Sequence, residues 1–137
     1  MPTTSWQYQA VSRVLEAFMS LDCAMVLALS APDVVFEFPF IGDATLDAKS
    51  FASRVGRTIP LMTGLTFTDL EISPVGEAAV LARYSSTANI SLTDKPYAQR
   101  YLSLFEFDEG RLTYFQENFD TATFKEAFDL APAWRIR

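Results

Sequence analysis

The sequence predicts one α+β domain, built from a strongly curved antiparallel sheet with three N-terminal helices on its concave side and a short C-terminal helix. Apolar residues recur every third or fourth position early in the chain, whereas from residue 65 onward β-branched and aromatic runs alternate with turn residues. No linker, repeat or low-complexity segment interrupts the 137 residues. We therefore expect a single domain over residues 1–137, with its core at about 6–130 and a tail at 131–137.

Three helices are predicted in the N-terminal part of the chain. In Ser5–Leu21 the apolar positions form one stripe, which is typical of an amphipathic helix. Asp22 is expected to cap a short apolar helix, Cys23–Ser30. Asp47 is expected to cap a third helix that runs from Ala48 to about Ile59.

A strand is predicted at Val34–Phe40 because β-branched and aromatic residues dominate this segment. Pro39 places the end of the strand at an edge or a bend. Glu37 interrupts the apolar run, and the pattern leaves two interpretations open. It is either an edge-strand charge that faces water or a residue of a pocket.

Four consecutive antiparallel strands are predicted in the C-terminal half, which gives the element order ααβαββββα. The first two are Leu65–Ser73 and Ala78–Leu92, and the last two form a hairpin over Gln99–Asp120 that turns at Asp108-Glu109-Gly110. A final helix is predicted at Ala122–Phe128. A curved meander with helices on its concave side makes a cone, which is open at one end unless side chains fill it.

Composition excludes several classes of function. The net charge is −6 and the basic residues are scattered, so we expect neither nucleic acid nor membrane as a partner. A single cysteine, Cys23, permits no internal disulfide, and the first residues do not resemble a signal peptide, so we expect a cytoplasmic protein. The chain has no histidine, which removes imidazole catalysis, and no glycine-rich nucleotide motif or carboxylate-rich metal loop. We expect no cofactor and no metal.

Glu117 is the best candidate for chemistry. Side chains alternate along the last strand, so Phe115, Glu117 and Phe119 share one face, which is rich in carbon and suits the inside of the cone. Burial there would raise the pKa of the carboxyl group towards neutrality, as a general acid or base requires. The alternative is a structural ion pair with Arg83 or Arg100.

Two arginines of the predicted third helix, Arg54 and Arg57, lie three residues apart on neighbouring faces. A solvated helix face is the default interpretation of this spacing. A clamp that binds an anion is the alternative.

The opening VLEAFMSLDCAMVLALSAPDVVFEFPF and the ending FEFDEGRLTYFQENFDTATFKEAF resemble the SnoaL-like group of the nuclear-transport-factor-two-like, ketosteroid-isomerase-like superfamily. The resemblance covers about Trp6 to Leu130. It implies a cystatin-like α+β barrel with an internal pocket. Members of the superfamily include isomerases, cyclases, dehydratases, epoxide hydrolases and non-catalytic binders, so the resemblance predicts the fold better than the reaction.

The catalytic residues of steroid isomerases would fall at Val14, Phe38 and Ser103, and none of the three keeps the required acid or tyrosine. Ketosteroid isomerisation is therefore not expected. The resemblance to limonene-type epoxide hydrolases rests on Arg83 and Glu117, but Ser85 replaces the middle carboxylate of their relay.

The phenazine-biosynthesis A/B-like branch has a closing motif similar to Phe115–Asp120, and its glutamate matches Glu117. Members of that branch also use a histidine, which this chain lacks. In SnoaL-type cyclases, an acidic base lies near the end of the same strand. Glu117 or, less well, Asp120 could occupy that place.

The sequence thus predicts a small apolar, cyclic ligand in an internal pocket, on which a lyase, isomerase or cyclase uses Glu117 as general acid or base. Arg83 or Tyr101 would stabilise developing negative charge. A non-catalytic binder or dimeric interaction module is the first alternative, and an epoxide hydrolase is the second. The mixed face with Tyr114, Gln116 and Asn118 suits a homodimer interface. The residues expected to contact the ligand are Val14, Phe18, Phe38, Arg83, Ser85, Tyr101, Ser103 and Phe115.

Overall fold

A computed structural model describes residues 5–39 and 45–129 of the chain. Within these residues the structure contains four α-helices and six β-strands. The helices are α1 (Trp6–Met19), α2 (Cys23–Ala28), α3 (Ala48–Arg54) and α4 (Thr121–Ala127), with 3-10 turns at Val55–Arg57 and Ile59–Leu61. The strands are β1 (Ser30–Glu37), β2 (Thr45–Leu46), β3 (Met62–Val75), β4 (Ala79–Ile90), β5 (Lys95–Asp108) and β6 (Arg111–Phe119).

The six strands form one curved, unclosed sheet in the order β2-β1-β6-β5-β4-β3. Strands β3 to β6 make the predicted antiparallel meander. Strand β1 pairs in parallel with β6, a contact that the sequence does not predict. The last strand therefore lies inside the sheet, between β1 and β5, and carries Glu117 away from either edge.

The hairpin between β5 and β6 turns as predicted. Glu109 and Gly110 have φ angles of +50° and +77°, so both central residues adopt left-handed conformations. Two such residues match the right-handed twist of the flanking strands. The turn and a one-residue register shift between Glu106 and Phe107 together place Ser103 opposite Glu117.

The predicted caps begin α2, α3 and α4. The side chains of Asp22, Asp47 and Asp120 accept hydrogen bonds from backbone N–H groups of the first helical turns, and Ser5 does the same for α1. The longest helix of the described residues is α1, with 14 residues. Across residues 5–39 and 45–129, no helix combines the length and apolar character needed to cross a membrane.

Strand β1 begins earlier than predicted, at Ser30 rather than Val34, and α2 correspondingly ends at Ala28. Pro32 is tolerated because β2 pairs only with the last residues of β1 and the pairing with β6 is irregular between Ser30 and Val35, so no partner strand needs the missing N–H at this point. Phe40, the predicted end of the strand, lies outside the described residues, as does the tail 131–137.

The third helix ends at Arg54 rather than Ile59 and continues as two 3-10 turns. Pro60 lies at the start of the second turn, where a helical turn has no intrahelical partner for an N–H group and proline is tolerated. Strand β2 is a missed element because two residues cannot show a periodicity. It pairs Leu46 with Phe36 of β1.

The core is aromatic and lies between the helices and the concave face of the sheet. Phe36 and Phe51 stack with ring centroids 3.8 Å apart, and both are fully buried. Phe18 of α1 lies against Phe51 and Phe115. These rings fill the interior around Phe115, whereas the next two residues on the same face of β6, Glu117 and Phe119, line a cavity.

Candidate active site

A cavity of about 410 Å³ lies between the concave face of the sheet and the helices. This volume is typical of sites that enclose small molecules. Aromatic residues dominate the lining: Phe18, Phe38, Phe67, Phe119, Phe124 and Phe128. Five lining side chains carry polar groups: Arg54, Thr58, Tyr97, Tyr101 and Glu117. A largely apolar wall with a few polar groups suits an apolar ligand that carries one or two oxygens.

Glu117 is the only carboxylate among the described lining residues. It is partly accessible because it faces the cavity, and packed protein surrounds the rest of the side chain. Burial raises its pKa to about 8, and a hydrogen bond from the Tyr84 hydroxyl to Oε2, at 3.5 Å, opposes this rise. The group therefore exchanges its proton near neutral pH.

The alternative interpretation, an ion pair of Glu117 with an arginine, does not describe this structure. Arg83 and Arg100 are exposed on the opposite, convex face of the sheet. Among residues 5–39 and 45–129, the one salt bridge joins Lys95 to Asp129. Within this part of the chain no salt bridge offsets the cost of ionising Glu117, and Arg54, the basic residue of the cavity lining, is not among the causes of its pKa shift.

Tyr84 and Ser103 form a short relay behind Glu117. The Tyr84 hydroxyl lies 2.8 Å from Ser103 Oγ, and either oxygen can donate. When Glu117 is ionised, Tyr84 donates to the carboxylate and Ser103 donates to Tyr84. When Glu117 is protonated, Tyr84 can rotate its hydrogen towards Ser103 and accept from the acid. The relay thus accommodates both protonation states.

Tyr101 is a neutral hydrogen-bond donor in the cavity wall. Its ring stacks on Tyr84 at a centroid distance of 4.9 Å, and its hydroxyl lies 2.8 Å from Ser86 Oγ. Burial and the nearby Glu117 carboxylate both raise the pKa of this phenol well above its usual range. The hydroxyl therefore keeps its hydrogen at every pH at which the protein is expected to work.

Arg83 and Ser85 do not contact the cavity, contrary to the prediction. Ala82, Tyr84 and Ser86 are among the buried side chains of β4, and Arg83 and Ser85 between them point to the convex face. Motif similarity to epoxide hydrolases placed Arg83 and Ser85 in the pocket. The period-two alternation of the strand places them outside it.

The other predicted contacts divide between cavity and core. Phe18 and Phe38 line the cavity, as does Tyr101. Val14 and Phe115 are buried in the aromatic core, at 1% and 0% exposure, and are not part of the cavity lining. Ser103 is fully buried and reaches the site through Tyr84.

Sequence reasoning missed three polar residues, Tyr84, Tyr97 and Gln99. The sequence of β5 contains a pattern that could have identified two of them. In β5, polar residues stand at every second position from Tyr97 to Ser103, on the face that also carries Phe105 and Phe107. A row of polar groups on a face otherwise occupied by core residues indicates a lined cavity rather than a filled core.

The two arginines of the third helical segment behave differently. Arg54 lines the cavity although it is exposed, and it is the only basic residue of the described lining. Arg57 donates from Nε to the carbonyl oxygen of Ser53, at 3.0 Å, and does not line the cavity. The two do not form a clamp.

Glu37 lies on the convex side of the sheet. Its carboxylate accepts hydrogen bonds from the hydroxyls of Tyr114 and Thr45, and Gln116 donates to Tyr114 at 3.1 Å. Glu37 does not line the cavity. Of its two interpretations, the structure supports a polar residue of the outer surface.

Neither a metal site nor a reactive thiol is evident in the described part of the chain. Residues 5–39 and 45–129 contain no group of three or more cysteine, aspartate or glutamate side chains placed to hold a metal ion. Burial raises the pKa of Cys23 to about 11, so its thiol stays protonated and unreactive. Glu117 remains the group best placed for chemistry.

The model of the family described as the SnoaL-like domain matches residues 11–115. The chain belongs to the SnoaL-like domain family. This confirms the resemblance stated from the opening and closing motifs. A search of curated proteins finds no matching sequence.

Solved structures share the SnoaL-like fold of this chain. TerC, co-crystallized with polyporic acid, has a TM-score of 0.74 and 18% identity, with 91% of this chain and 99% of TerC covered. A Catenulispora acidiphila protein with a ketosteroid isomerase-like fold, in complex with trimethylamine, has a TM-score of 0.76 and 17% identity, covering 93% and 98%. A phenazine biosynthesis-related protein from Pseudomonas aeruginosa has a TM-score of 0.70 and 11% identity, covering 94% and 91%. These likenesses establish the fold.

Proposed function

We propose that this SnoaL-like protein binds a small, largely apolar, cyclic molecule in its cavity and moves a proton on it, as an isomerase, cyclase or lyase does. One observation carries the proposal. Glu117, with its pKa raised to about 8, is the only carboxylate in the described lining of an aromatic cavity of about 410 Å³. A general base is most effective when its pKa lies near the working pH.

The geometry suits proton removal next to a carbonyl group. The ionised carboxylate of Glu117 takes a proton from the carbon, and the electron pair of that C–H bond moves to form an enolate. Tyr101 donates a hydrogen bond to the enolate oxygen, and donors of this kind typically contribute about 3–4 kcal/mol to a transition state. Glu117 then returns the proton to another atom of the enolate, which completes an isomerisation. In a ring closure, the enolate carbon instead attacks a second carbonyl carbon of the same ligand, the π electrons of that carbonyl move to its oxygen, and Glu117 protonates this oxygen.

Relatives of the same fold support ligand binding. TerC was co-crystallized with polyporic acid, and a further neighbour is a phenazine biosynthesis-related protein. Because the identities are only 18% and 11%, we do not assign the substrates of those proteins to this chain. The cavity itself supports the narrower statement of an apolar, cyclic ligand.

Proton exchange tests the proposal without knowledge of the natural substrate. A panel of cyclic ketones, from cyclohexanone to 1-tetralone, is incubated in D₂O, and NMR follows deuterium incorporation next to the carbonyl. The intact protein should accelerate exchange for at least one ketone. Glu117→Gln should bind that ketone and lose the acceleration, because an amide cannot accept the proton.

Glu106→Gln is the matched control. Glu106 lies on neighbouring β5, in the register position opposite Tyr114, and faces away from the cavity. It should exchange ketones at the rate of the unchanged protein. Equal exchange by Glu117→Gln and the unchanged protein, or no acceleration with any ketone, would contradict the proposed function.

A binding protein without turnover is the second candidate. It is favoured by the absence of a second carboxylate from the described lining, since many proton-transfer sites use a pair of acids. Epoxide hydrolysis receives no such support, because Arg83 and Ser85 face away from Glu117. Tight binding of a ketone with no exchange would favour the second candidate.

We also propose that two copies associate through the convex face of the sheet. Leu81 and Leu102 are exposed there, at 36% and 45%, beside the polar ladder that includes Tyr114 and Gln116. A mixed apolar and polar surface of this kind is typical of subunit interfaces. Sedimentation equilibrium should show a dimer for the unchanged protein and a monomer for Leu102→Asp. A monomer in both would contradict this proposal.

A further inference from the structure

The side-chain amide of Gln99 extends the pairing of β5 and β6 by one step. Gln99 Nε2 donates to the carbonyl oxygen of Asp120 at 2.9 Å, and Gln99 Oε1 accepts from the N–H of Asp120 at 3.2 Å. The last register pair before this contact is Tyr101 with Phe119. If the Gln99 amide were flipped, its oxygen would face the Asp120 carbonyl oxygen and its NH₂ group would face the Asp120 N–H. The backbone of Asp120 therefore fixes the orientation of the Gln99 amide.

This orientation determines where the hydrogen of Tyr97 points. The second hydrogen of Gln99 Nε2 is donated to the Tyr97 hydroxyl oxygen at 3.0 Å. Tyr97 is therefore an acceptor in that bond, and its own hydrogen must find another acceptor. Among residues 5–39 and 45–129, the bond from Gln99 is the one hydrogen bond of ordinary length and angle at this hydroxyl, and the neighbouring Tyr101 hydroxyl is close enough to lower its pKa.

Tyr97 belongs to the cavity wall. It is 2% exposed and lines the cavity together with Tyr101 and Glu117. Phe124 of α4 and Phe128, the residue that follows α4, pack against its ring, with centroids 6.2 Å and 6.4 Å away. Burial raises the pKa of its hydroxyl to about 12, so the group stays a neutral donor. Its oxygen is already bonded to Gln99, so its hydrogen is available to an oxygen of a cavity occupant.

We propose that the Tyr97 hydroxyl is the hydrogen-bond donor that binds a carbonyl or enolate oxygen of the ligand, and that Gln99 is the positioning residue that directs it. The inference deepens the proposed function, on which it rests for the kind of ligand. It names the oxygen-bearing part of that ligand and the residues that recognise it. Tyr97 and Tyr101 together then offer two donors in one wall of the cavity.

Two probes of the same shape isolate the oxygen. 1-Tetralone and 1,2,3,4-tetrahydronaphthalene share a bicyclic skeleton and differ by one carbonyl group. Tyr97→Phe should weaken the binding of 1-tetralone by about 3- to 10-fold, the typical worth of one hydrogen bond, and should leave the hydrocarbon unaffected. The carbonyl stretching band of bound 1-tetralone should move to higher wavenumber, since one hydrogen bond is lost.

Gln99→Glu tests the positioning role with almost no change in shape. A carboxylate oxygen in place of Nε2 accepts from the Tyr97 hydroxyl, so the hydrogen turns away from the cavity while the phenol remains. The same oxygen loses the bond to the Asp120 carbonyl, so urea unfolding is measured as well and must show that the variant remains folded. This variant should reproduce the loss of 1-tetralone binding and the band shift of Tyr97→Phe. Tyr8→Phe is the matched control because the Tyr8 side chain is exposed on the outer face of α1, outside the cavity lining.

The inference is overturned if the ratio of the dissociation constants for 1-tetralone and 1,2,3,4-tetrahydronaphthalene is the same, within about twofold, in the unchanged protein and in Tyr97→Phe. It is also overturned if the unchanged protein binds no 1-tetralone. Its failure is distinct from failure of the proposed function, because binding and exchange are measured separately. A selective loss in Tyr97→Phe with unchanged exchange in Glu117→Gln would retain Tyr97 and reject Glu117 as the catalytic group.

Discussion

Replacing Glu117 with glutamine should change how the stability of the protein depends on pH. The folded state raises the pKa of Glu117 from 4.5 to about 8, so it binds this proton more tightly than the unfolded chain does. The resulting stability is fully present below about pH 4.5 and is lost as the pH rises towards 8. Above pH 8 the loss is complete, because both states have released the proton.

The size of the effect follows from the same shift. A tenfold change in a dissociation constant corresponds to about 1.4 kcal/mol, so a pKa that moves from 4.5 to about 8 corresponds to at most about 5 kcal/mol. Water in the cavity solvates part of the ionised carboxylate and reduces this value. We expect a loss of about 2–4 kcal/mol between pH 5 and pH 9, which is a large share of the stability of a typical domain.

Urea unfolding followed by circular dichroism measures the difference directly. The free energies of unfolding of the unchanged protein and of Glu117→Gln are determined at each pH unit from 5 to 9, with m-values compared to confirm the same unfolding reaction. The absence of histidine helps, because no imidazole titrates in this range. The unchanged protein should lose stability relative to Glu117→Gln as the pH rises.

Parallel curves for the two proteins would refute this reasoning. They would mean that the carboxyl group of Glu117 ionises as easily in the folded as in the unfolded state. The general acid or base role would then lose its physical basis, because Glu117 would be an ordinary ionised carboxylate at neutral pH. A ¹³C NMR titration of the glutamate carboxyl groups provides an independent reading of the same pKa.

Two further predictions concern single side chains. Tyr84→Phe removes the hydrogen bond that stabilises the Glu117 carboxylate, so the pKa of Glu117 should rise above about 8. The pH profile of ketone exchange should then move to higher pH. An unchanged profile would show that Tyr84 does not act on Glu117. Asp120→Ala removes the cap of α4 and should lower the free energy of unfolding by about 1 kcal/mol in urea titrations, whereas no loss would show that Ala122 and Thr123 need no side-chain partner at this helix end.

The large features of the fold could be predicted from local sequence patterns. The caps at Asp22, Asp47 and Asp120 and the turn at Glu109 and Gly110 each depend on residues within a few positions of one another. Such local signals are present in a single sequence. The parallel contact of β1 with β6 is not local, so no periodicity could reveal it.

The candidate site was predictable where strand alternation was applied and was not predictable where motif similarity replaced it. Alternation along β6 places Glu117 on the concave face, and the structure agrees. The same rule applied to β4 would have placed Arg83 outside and Tyr84 inside. The direction of the Tyr97 hydrogen depends on Gln99 and the backbone of Asp120, which three-dimensional structure alone brings together.

The parallel contact between β1 and β6 also has a consequence for how the chain folds. Phe36 and Phe115 face each other in this pair although they are 79 positions apart in the sequence. Contacts of such high sequence separation form late, because a long segment must first be ordered. Until β6 arrives, β1 has an unpaired edge, and such edges favour association between chains during folding. The strand that carries Glu117 therefore also completes a late step in the folding of the domain.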